Sequence, residues 1–590
     1  MRQVLHRLGG RGLLALGAAA ALTAIISSAA AGSNGNGSGD DRLARINHIV
    51  VIYEENHSFD NLYGGWEGVN GLANADAAHT VQAKQIGAPA NGAPYSCLYQ
   101  DDVNLQPASG ATPCETAING TAYASLFGNA PFRIDDYITP DDTTCPQPFQ
   151  EFSRPNGWLK GQGTTGGCTR DIVHRFYQEQ YQINGGAQNQ YVTGSDAAGL
   201  VMGYYDTKQL AIYQYLHGGG HPHYAVLDDF FQSAFGGSFL NHQWLIAAAS
   251  PIDASPAHAA LHSIVDTNGF PQLRYPPVSH SGNVILYQSP NTGLRDSNLT
   301  SLCPAAKPDL ACGDYAVNTM QPFAQPFGVF NPQLPPQVEA TRPTIGDRLT
   351  ENAIDWAWYA GGWDNAAGNT TGPGWTNGSG PTTCSDPNAT PNPAYPYCPD
   401  RLFQFHHQPF AYYANYGPDG PGRPHLQDEV AFEDAATASS SDCKLKPVSF
   451  VKPIGEENEH PGYASESQGS DHLVDLLKMI DGSACAKDTM VVVTYDEFGG
   501  EWDHVPPPGQ AGNPAAPGRA DQWGPGTRIP ALVISPFLRG QEVIDHTQYD
   551  TTSILATIEQ RYGLAPLATR DAAVNSLSNV YDAKEFNNGG

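Results

Sequence analysis

Short apolar runs rich in β-branched residues recur along the chain at residues 46–53 (INHIVVIY), 447–454 (PVSFVKPI), 490–494 (MVVVT) and 529–535 (IPALVIS). Each is too short for a helix and nearly unbroken in hydrophobicity, the pattern of strands buried on both faces of a largely parallel sheet. Between them the apolar spacing widens to a helical period. Residues 470–480 place Leu473, Leu476, Leu477 and Ile480 on one face, 344–356 do the same with Ile345, Leu349 and Ile354, and 209–216 and 551–562 read likewise. Residues 171–191 read as a helix entered at Asp171 and closed at Gly185-Gly186. Strands alternating with helices predict an α/β fold: a doubly wound, mostly parallel central sheet with helices on both faces.

The residues at the ends of the apolar runs carry the chemistry. The run at 490–494 gives way to Tyr495, Asp496, Glu497 and then Gly499-Gly500, and the run at 46–53 ends in Glu54, Glu55 and Asn56. In open α/β sheets ligands bind at the carboxyl edge of the strands. Adjacent carboxylates repel unless a cation or donors neutralise them, and hard divalent ions take such oxygens. Two strands ending this way can converge on one cation. Ser238 comes after Gly236-Gly237 and precedes an apolar segment, so its hydroxyl is expected at a helix N-terminus, where backbone N–H groups converge. No Gly-x-Ser-x-Gly elbow surrounds it, which argues against an α/β-hydrolase.

Between these elements lie two loop insertions, at about 84–168 and 365–398, rich in Gly, Pro, Asn and Thr. The first is expected to cover the rim of the site. The chain has 590 residues and a formal charge of −29, which disfavours nucleic acid and anionic membrane surfaces as partners. Arg2, Arg7 and Arg11 precede an apolar stretch and then Ala29-Ala30-Ala31, so residues 1–31 read as a signal peptide and the protein as secreted or periplasmic. Residues 32–42 read as a flexible linker, 43–575 as one catalytic domain and 576–590 as a polar tail. No later segment is long and apolar enough to predict stable membrane insertion. Ten cysteines in an exported chain read as disulfides tying the insertions, with Cys303/Cys312 and Cys384/Cys398 close enough to staple local loops.

The motifs Glu55-Asn56-His57-Ser58-Phe59-Asp60, Asp171 to His174 with Asn184-Gly185-Gly186, Gly237-Ser238 with Asn241, His460-Pro461-Gly462-Tyr463, and Tyr495-Asp496-Glu497 through to Pro506 resemble the phosphoesterase family of bacterial acid phosphatases and phospholipases C. The match recurs in chain order from about residue 46 to 562. The resemblance implies an alkaline-phosphatase-like fold, one divalent metal of unspecified identity (Ca, Mg, Mn or Zn), and a hydroxyl nucleophile that becomes phosphorylated. It places metal ligands on Glu55, Asn56, Asp496 and Glu497, with Ser238 as nucleophile and metal-facing hydroxyl. Catalytic histidines fall on His174 and His460, and a further phosphate-binding histidine on His406 or His407; Asn241 joins the phosphate-binding set. As imidazolium at mildly acid pH, the histidines are expected to hydrogen-bond phosphoryl oxygens and protonate the leaving group. The substrate is expected to be a small phosphorylated molecule or a phospholipid headgroup. Because only a polar tail comes after the last helix, the sequence favours an acid phosphatase over a phospholipase C. A silent phosphate- or metal-binding protein is the reading of another class, and an intact Ser238 speaks against it.

Overall fold

The computed structural model describes residues 39–584, apart from 85–91, 107–111, 119–120, 148–149, 152, 252–278, 281–283, 286–335, 368–401 and 439–440. Residues 1–31, read as a signal peptide, most of the second insertion and the pairs Cys303/Cys312 and Cys384/Cys398 lie outside the described residues.

The core is an eight-stranded sheet. In chain order its strands are β1 (His48–Glu54), β2 (Tyr224–Leu227), β3 (Trp356–Ala360), β4 (Leu426–Asp428), β5 (Val448–Lys452), β6 (Thr489–Tyr495), β7 (Ala531–Ile534) and β8 (Glu542–Asp545). Across the sheet the order is β4-β3-β5-β1-β6-β7-β2-β8. β7 alone runs against both its neighbours, and the remaining pairings are parallel. Every residue of β6, and every residue of β1 after His48, is buried, so both faces of the sheet are covered. This is why their sequences are nearly continuous in Val and Ile rather than alternating.

The covering helices include α1 (Phe176–Ile183), α2 (Ser238–Ala247), α3 (Glu429–Thr437), α4 (Glu466–Asp481) and α5 (Thr552–Tyr562). In one group α3 packs on α4, and in another α2 packs on α5. α4 buries Leu473, Leu476, Leu477 and Ile480, the face its spacing predicts, and Ser465 caps it by accepting from the backbone N–H of Gln468.

Three expectations change. The helix read over 171–191 begins only at Phe176, because Arg170 is held by Asp101 and Asp196 and the N–H of Val173 donates to Asp196; these bonds keep residues 171–175 out of the helix. Gly39–Leu43, read as linker, is a helical turn with Gly39 and Leu43 buried. Leu577–Tyr581, read as polar tail, is a 3-10 turn packed on it, with Leu577, Val580 and Tyr581 buried. Disulfides join Cys145 to Cys168 within the first insertion and Cys443 to Cys485 in the segments that lead into β5 and β6, and no cysteine among the described residues is free.

Candidate active site

β1 and β6 run side by side in register, Glu54 opposite Tyr495, so the next residues along the chain, Glu55 and Asp496, emerge together at the carboxyl edge. The turn after each strand is then locked to the other. The Asp496 N–H donates to Glu54 O at 3.1 Å. Asp496 Oδ1 accepts from the N–H of Asn56 at 2.9 Å and of Glu497 at 2.8 Å. Asn56 takes a left-handed conformation, φ 62°, which asparagine tolerates better than most residues. Gly499, φ 64°, passes so close that a Cβ there would meet Asn56 O at 2.1 Å, so the glycine pair after the acids is a steric requirement.

Ser238 reaches the same place from α2. Gly236 adopts φ 88° against Phe176, where a Cβ would lie 2.5 Å from the Phe176 nitrogen, and Gly237 is the helix N-cap. Ser238 is thus the first residue of α2, nearly fully buried, and its hydroxyl donates to Glu55 Oε2 at 3.3 Å. The other predicted ligands lie at the adjacent ends of β1 and β6, beside Glu55. Asn56 Oδ1, Asp496 Oδ2 and Glu497 Oε1 are buried without a hydrogen-bond partner, a costly state that a bound cation would relieve. Burial, and then the charge of Glu55, raises Asp496 well above the ordinary carboxylate range; burial, and then Asp496, does the same to Glu497. Burial pushes Glu55 the same way, but Lys452 and His407 override it and hold its carboxyl well below the usual value. An all-oxygen set of three carboxylates, one amide and one hydroxyl fits a hard divalent ion.

His174 and His460 face this set. His460 Nε2 lies 2.9 Å from Asn56 Nδ2, and His174 Nε2 lies 3.5 Å from Glu497 Oε1. In both rings Nδ1 faces a backbone carbonyl, Pro461 O at 2.7 Å and Ile172 O at 2.5 Å. Donation to those carbonyls fixes the tautomer and leaves Nε2 as an acceptor toward the site. Burial depresses His174 and holds both His460 and His407 at about 4. His460 and His407 are therefore neutral at mildly acid pH, against the imidazolium expected from the sequence, and burial shifts His174 in the same direction.

The structure brings both His406 and His407 to the centre. His407 Nε2 is 2.9 Å from Glu55 Oε1, and His406 packs edge-on against His242. Asn241, expected to bind phosphate, is placed otherwise. Its amide donates to Ala234 O and Gly236 O, its carbonyl accepts from the N–H of Ala234, and the residue is fully buried. It shapes the turn that presents Ser238.

Two residues of the centre were not picked out from the sequence. Lys452, at the end of β5, forms an ion pair with Glu55 Oε1 at 2.5 Å; a lone lysine in the run PVSFVKPI, beside a strand ending in acids, was the available signal. His242, one helical turn after Ser238, lies 3.8 Å from Glu55 Oε1, and an i, i+4 partner on the same helix face was its signal. Glu151 and Arg154 from the first insertion, with Asp171, His174, Arg175 and Tyr463, line a cavity of about 210 Å³ beside the centre. No helix among the described residues is long and apolar enough to cross a membrane.

Residues 46–565 match the model of the phosphoesterase family. Over 157 residues the chain is 35% identical to phospholipase C B of Mycobacterium tuberculosis, covering 24% of this chain and 30% of that protein. It is 28% identical over 152 residues to non-specific phospholipase C6 of Arabidopsis thaliana, covering 23% and 29%. It is 30% identical over 135 residues to non-hemolytic phospholipase C of Burkholderia pseudomallei, covering 20% and 19%. The aligned stretch thus spans less than a third of each of these relatives. Among solved structures, a protein in the alkaline phosphatase superfamily from Vibrio parahaemolyticus aligns over 65% of both chains at 11% identity and a TM-score of 0.24, too low to carry an argument. The match to the family model runs through both acid-bearing strand ends, Ser238 and the histidines around them, and the chain belongs to the phosphoesterase family.

Proposed function

We propose that the protein hydrolyses phosphate esters with Ser238 as nucleophile. One observation carries the reading: oxygens of Asn56, Asp496 and Glu497, at the adjacent ends of β1 and β6, are buried and unpartnered, and a serine hydroxyl donates to Glu55 at the same strand end. A divalent ion held by Glu55, Asn56, Ser238, Asp496 and Glu497 would supply Lewis-acid stabilisation of the serine alkoxide and of the phosphoryl oxygens. Ser238 Oγ forms the bond to phosphorus as the ester P–O bond breaks, and the proton given up by the Ser238 hydroxyl leaves on the departing alcohol. Water then cleaves the phosphoserine. The Nε2 atoms of His174 and His460 face the centre, their imidazolium forms disfavoured by burial, and would take the proton of that water.

The finer reading is an exported acid phosphatase acting on small phosphomonoesters. Disulfides in the described residues support export. The second reading, a phospholipase C, is favoured by the relatives, all three of which bear that name. Purified full-length protein, supplied with divalent metal, would be assayed on p-nitrophenyl phosphate, sugar and nucleotide monophosphates, and phosphatidylcholine vesicles. Preference for the monoesters supports the phosphatase. Release of diacylglycerol as the fastest reaction supports the lipase. Metal and phosphate binding with no turnover of any substrate would overturn both in favour of a binding protein.

A further inference from the structure

Glu55 has two differently occupied ends. Its Oε2 accepts from Ser238 and belongs to the oxygen set of the candidate metal site. Its Oε1 faces Lys452 Nζ at 2.5 Å, His407 Nε2 at 2.9 Å and His242 Nε2 at 3.8 Å. Around that second oxygen the residue types change from hard oxygens to imidazole nitrogens. Ligand atoms of Glu55, His242 and His406 lie within 4.8 Å of one another, and all three residues are buried. His242 Nε2 and both ring nitrogens of His406 have no hydrogen-bond partner. His242 Nδ1 faces Ser238 O at 2.8 Å, so donation there turns the Nε2 lone pair inward, the tautomer found in metal-ligating histidines. Nitrogen ligands with one carboxylate make a set suited to a borderline ion such as zinc.

A cation already stands there. Lys452 is fully buried. Besides its ion pair with Glu55, its ammonium donates to Tyr53 O at 2.8 Å and Glu54 O at 3.3 Å, so backbone carbonyls hold it in place. Topology supplies those partners, since β5 pairs with β1 as far as Val451 opposite Ile52, which sets Lys452 beside the end of β1. Withdrawing the side chain would take a donor from each of two buried carbonyls, of which Glu54 O keeps the Asp496 N–H. Charge gives the same answer: three carboxylates, Glu55, Asp496 and Glu497, are balanced by one ammonium and one divalent ion.

We propose that Lys452 is the second cation of this centre. Its ammonium holds the place beside the shared carboxylate that a second metal ion takes in two-metal phosphoesterases, and it excludes metal from the His242–His406–His407 set, so the chain takes one divalent ion. This rests on the reading of the oxygen set as a metal site under the proposed function.

The test is metal stoichiometry of the full-length protein, stripped with chelator, loaded separately with Mn²⁺ and Zn²⁺, and measured by isothermal titration and elemental analysis, with near-ultraviolet circular dichroism to check folding. The wild type is expected to bind one equivalent of either ion. Lys452→Met, similar in length and uncharged, is expected to bind a second equivalent of Zn²⁺ that disappears when His242→Ala is added, and Lys452→Arg to bind one. A folded Lys452→Met that still binds one equivalent overturns the proposal. If Lys452→Met does not fold, His242→Ala in the wild-type background decides: one equivalent, unchanged, supports the proposal, and a fall from two to one overturns it. A wild type that binds no ion overturns the metal reading of the centre itself, an outcome distinct from two bound ions, which removes only the role of Lys452.

Discussion

Ser238 and Glu55 are 183 residues apart in the chain, and the serine hydroxyl donates to Oε2 of the carboxylate at 3.3 Å. Because Gly237 caps α2 and the Ser238 side chain makes no cap bond, truncating it removes one hydrogen bond and little else. Ser238→Ala is expected to change stability by about 1 kcal/mol yet to lose activity by several orders of magnitude, since the covalent route is gone. Vanadate, which imitates the trigonal-bipyramidal transition state, should inhibit the wild type and bind the variant poorly. A variant with near-normal turnover, or acid-quenched wild type labelled on a residue other than Ser238, would refute the assignment.

Chelation should destabilise the protein. Without an ion, Asn56 Oδ1, Asp496 Oδ2 and Glu497 Oε1 stay buried and unsatisfied, whereas an ion present at a hundred times its dissociation constant adds about 2.7 kcal/mol. Calorimetry with and without chelator is expected to show a lower melting temperature in its presence, restored by a hard divalent cation. In Asp496→Ala the two traces should coincide. A wild type indifferent to chelator, or an Asp496→Ala protein with full metal content, would remove the site.

The acids and the glycines were legible because both are local. A β-branched run that stops at adjacent carboxylates announces a strand end at a sheet edge, and Gly499 and Gly236 mark turns where no Cβ fits. The sheet order was not legible, because pairing depends on contacts between distant segments; nothing in residues 529–535 marks β7 as the antiparallel strand. The same limit hid Lys452, whose partner Glu55 is brought to it by the pairing of β5 with β1. Asn241 was misread for a related reason. A polar side chain near a nucleophile can point at substrate or back at its own turn, and only the fold shows that its donors go to Ala234 and Gly236.

The pH dependence of stability should differ between chelated and loaded protein. Burial holds His407 and His460 at about 4 in the fold, against about 6.5 unfolded. Between those values the unfolded chain binds more protons, so stability is present above about 6.5 and lost toward 4, at roughly 3 kcal/mol for one such shift. Asp496 and Glu497, raised by burial and by their acidic neighbours, work the other way, as does Glu54, raised by burial to about 8. Their contribution is full below about 4 and is lost as pH rises. Three such carboxylates outweigh two imidazoles below about 6.5 and act alone above it, so urea denaturation of the chelated protein from pH 4.5 to 8.5 should show stability falling with pH, more steeply above about 6.5, and metal should flatten that fall. Stability of chelated protein that climbs steadily to pH 8.5 would contradict this.

Asn241→Ala separates a positioning role from phosphate binding. The amide bonds Ala234 O, Gly236 O and the Ala234 N–H in a fully buried turn; Gln232 Nε2 also donates to both carbonyls, so truncation leaves the Ala234 N–H unpaired, at a cost of about 1–3 kcal/mol. The variant is expected to lose about 1–3 kcal/mol in chemical denaturation, the penalty of that one stranded group. Loosening the turn moves Ser238 relative to Glu55, and small misplacements of a nucleophile weaken the reaction step more than binding. The expected result is thus a reduced kcat, with the inhibition constant of inorganic phosphate unchanged. If phosphate inhibition weakens in step with kcat while stability holds, Asn241 touches the substrate and the positioning role is wrong.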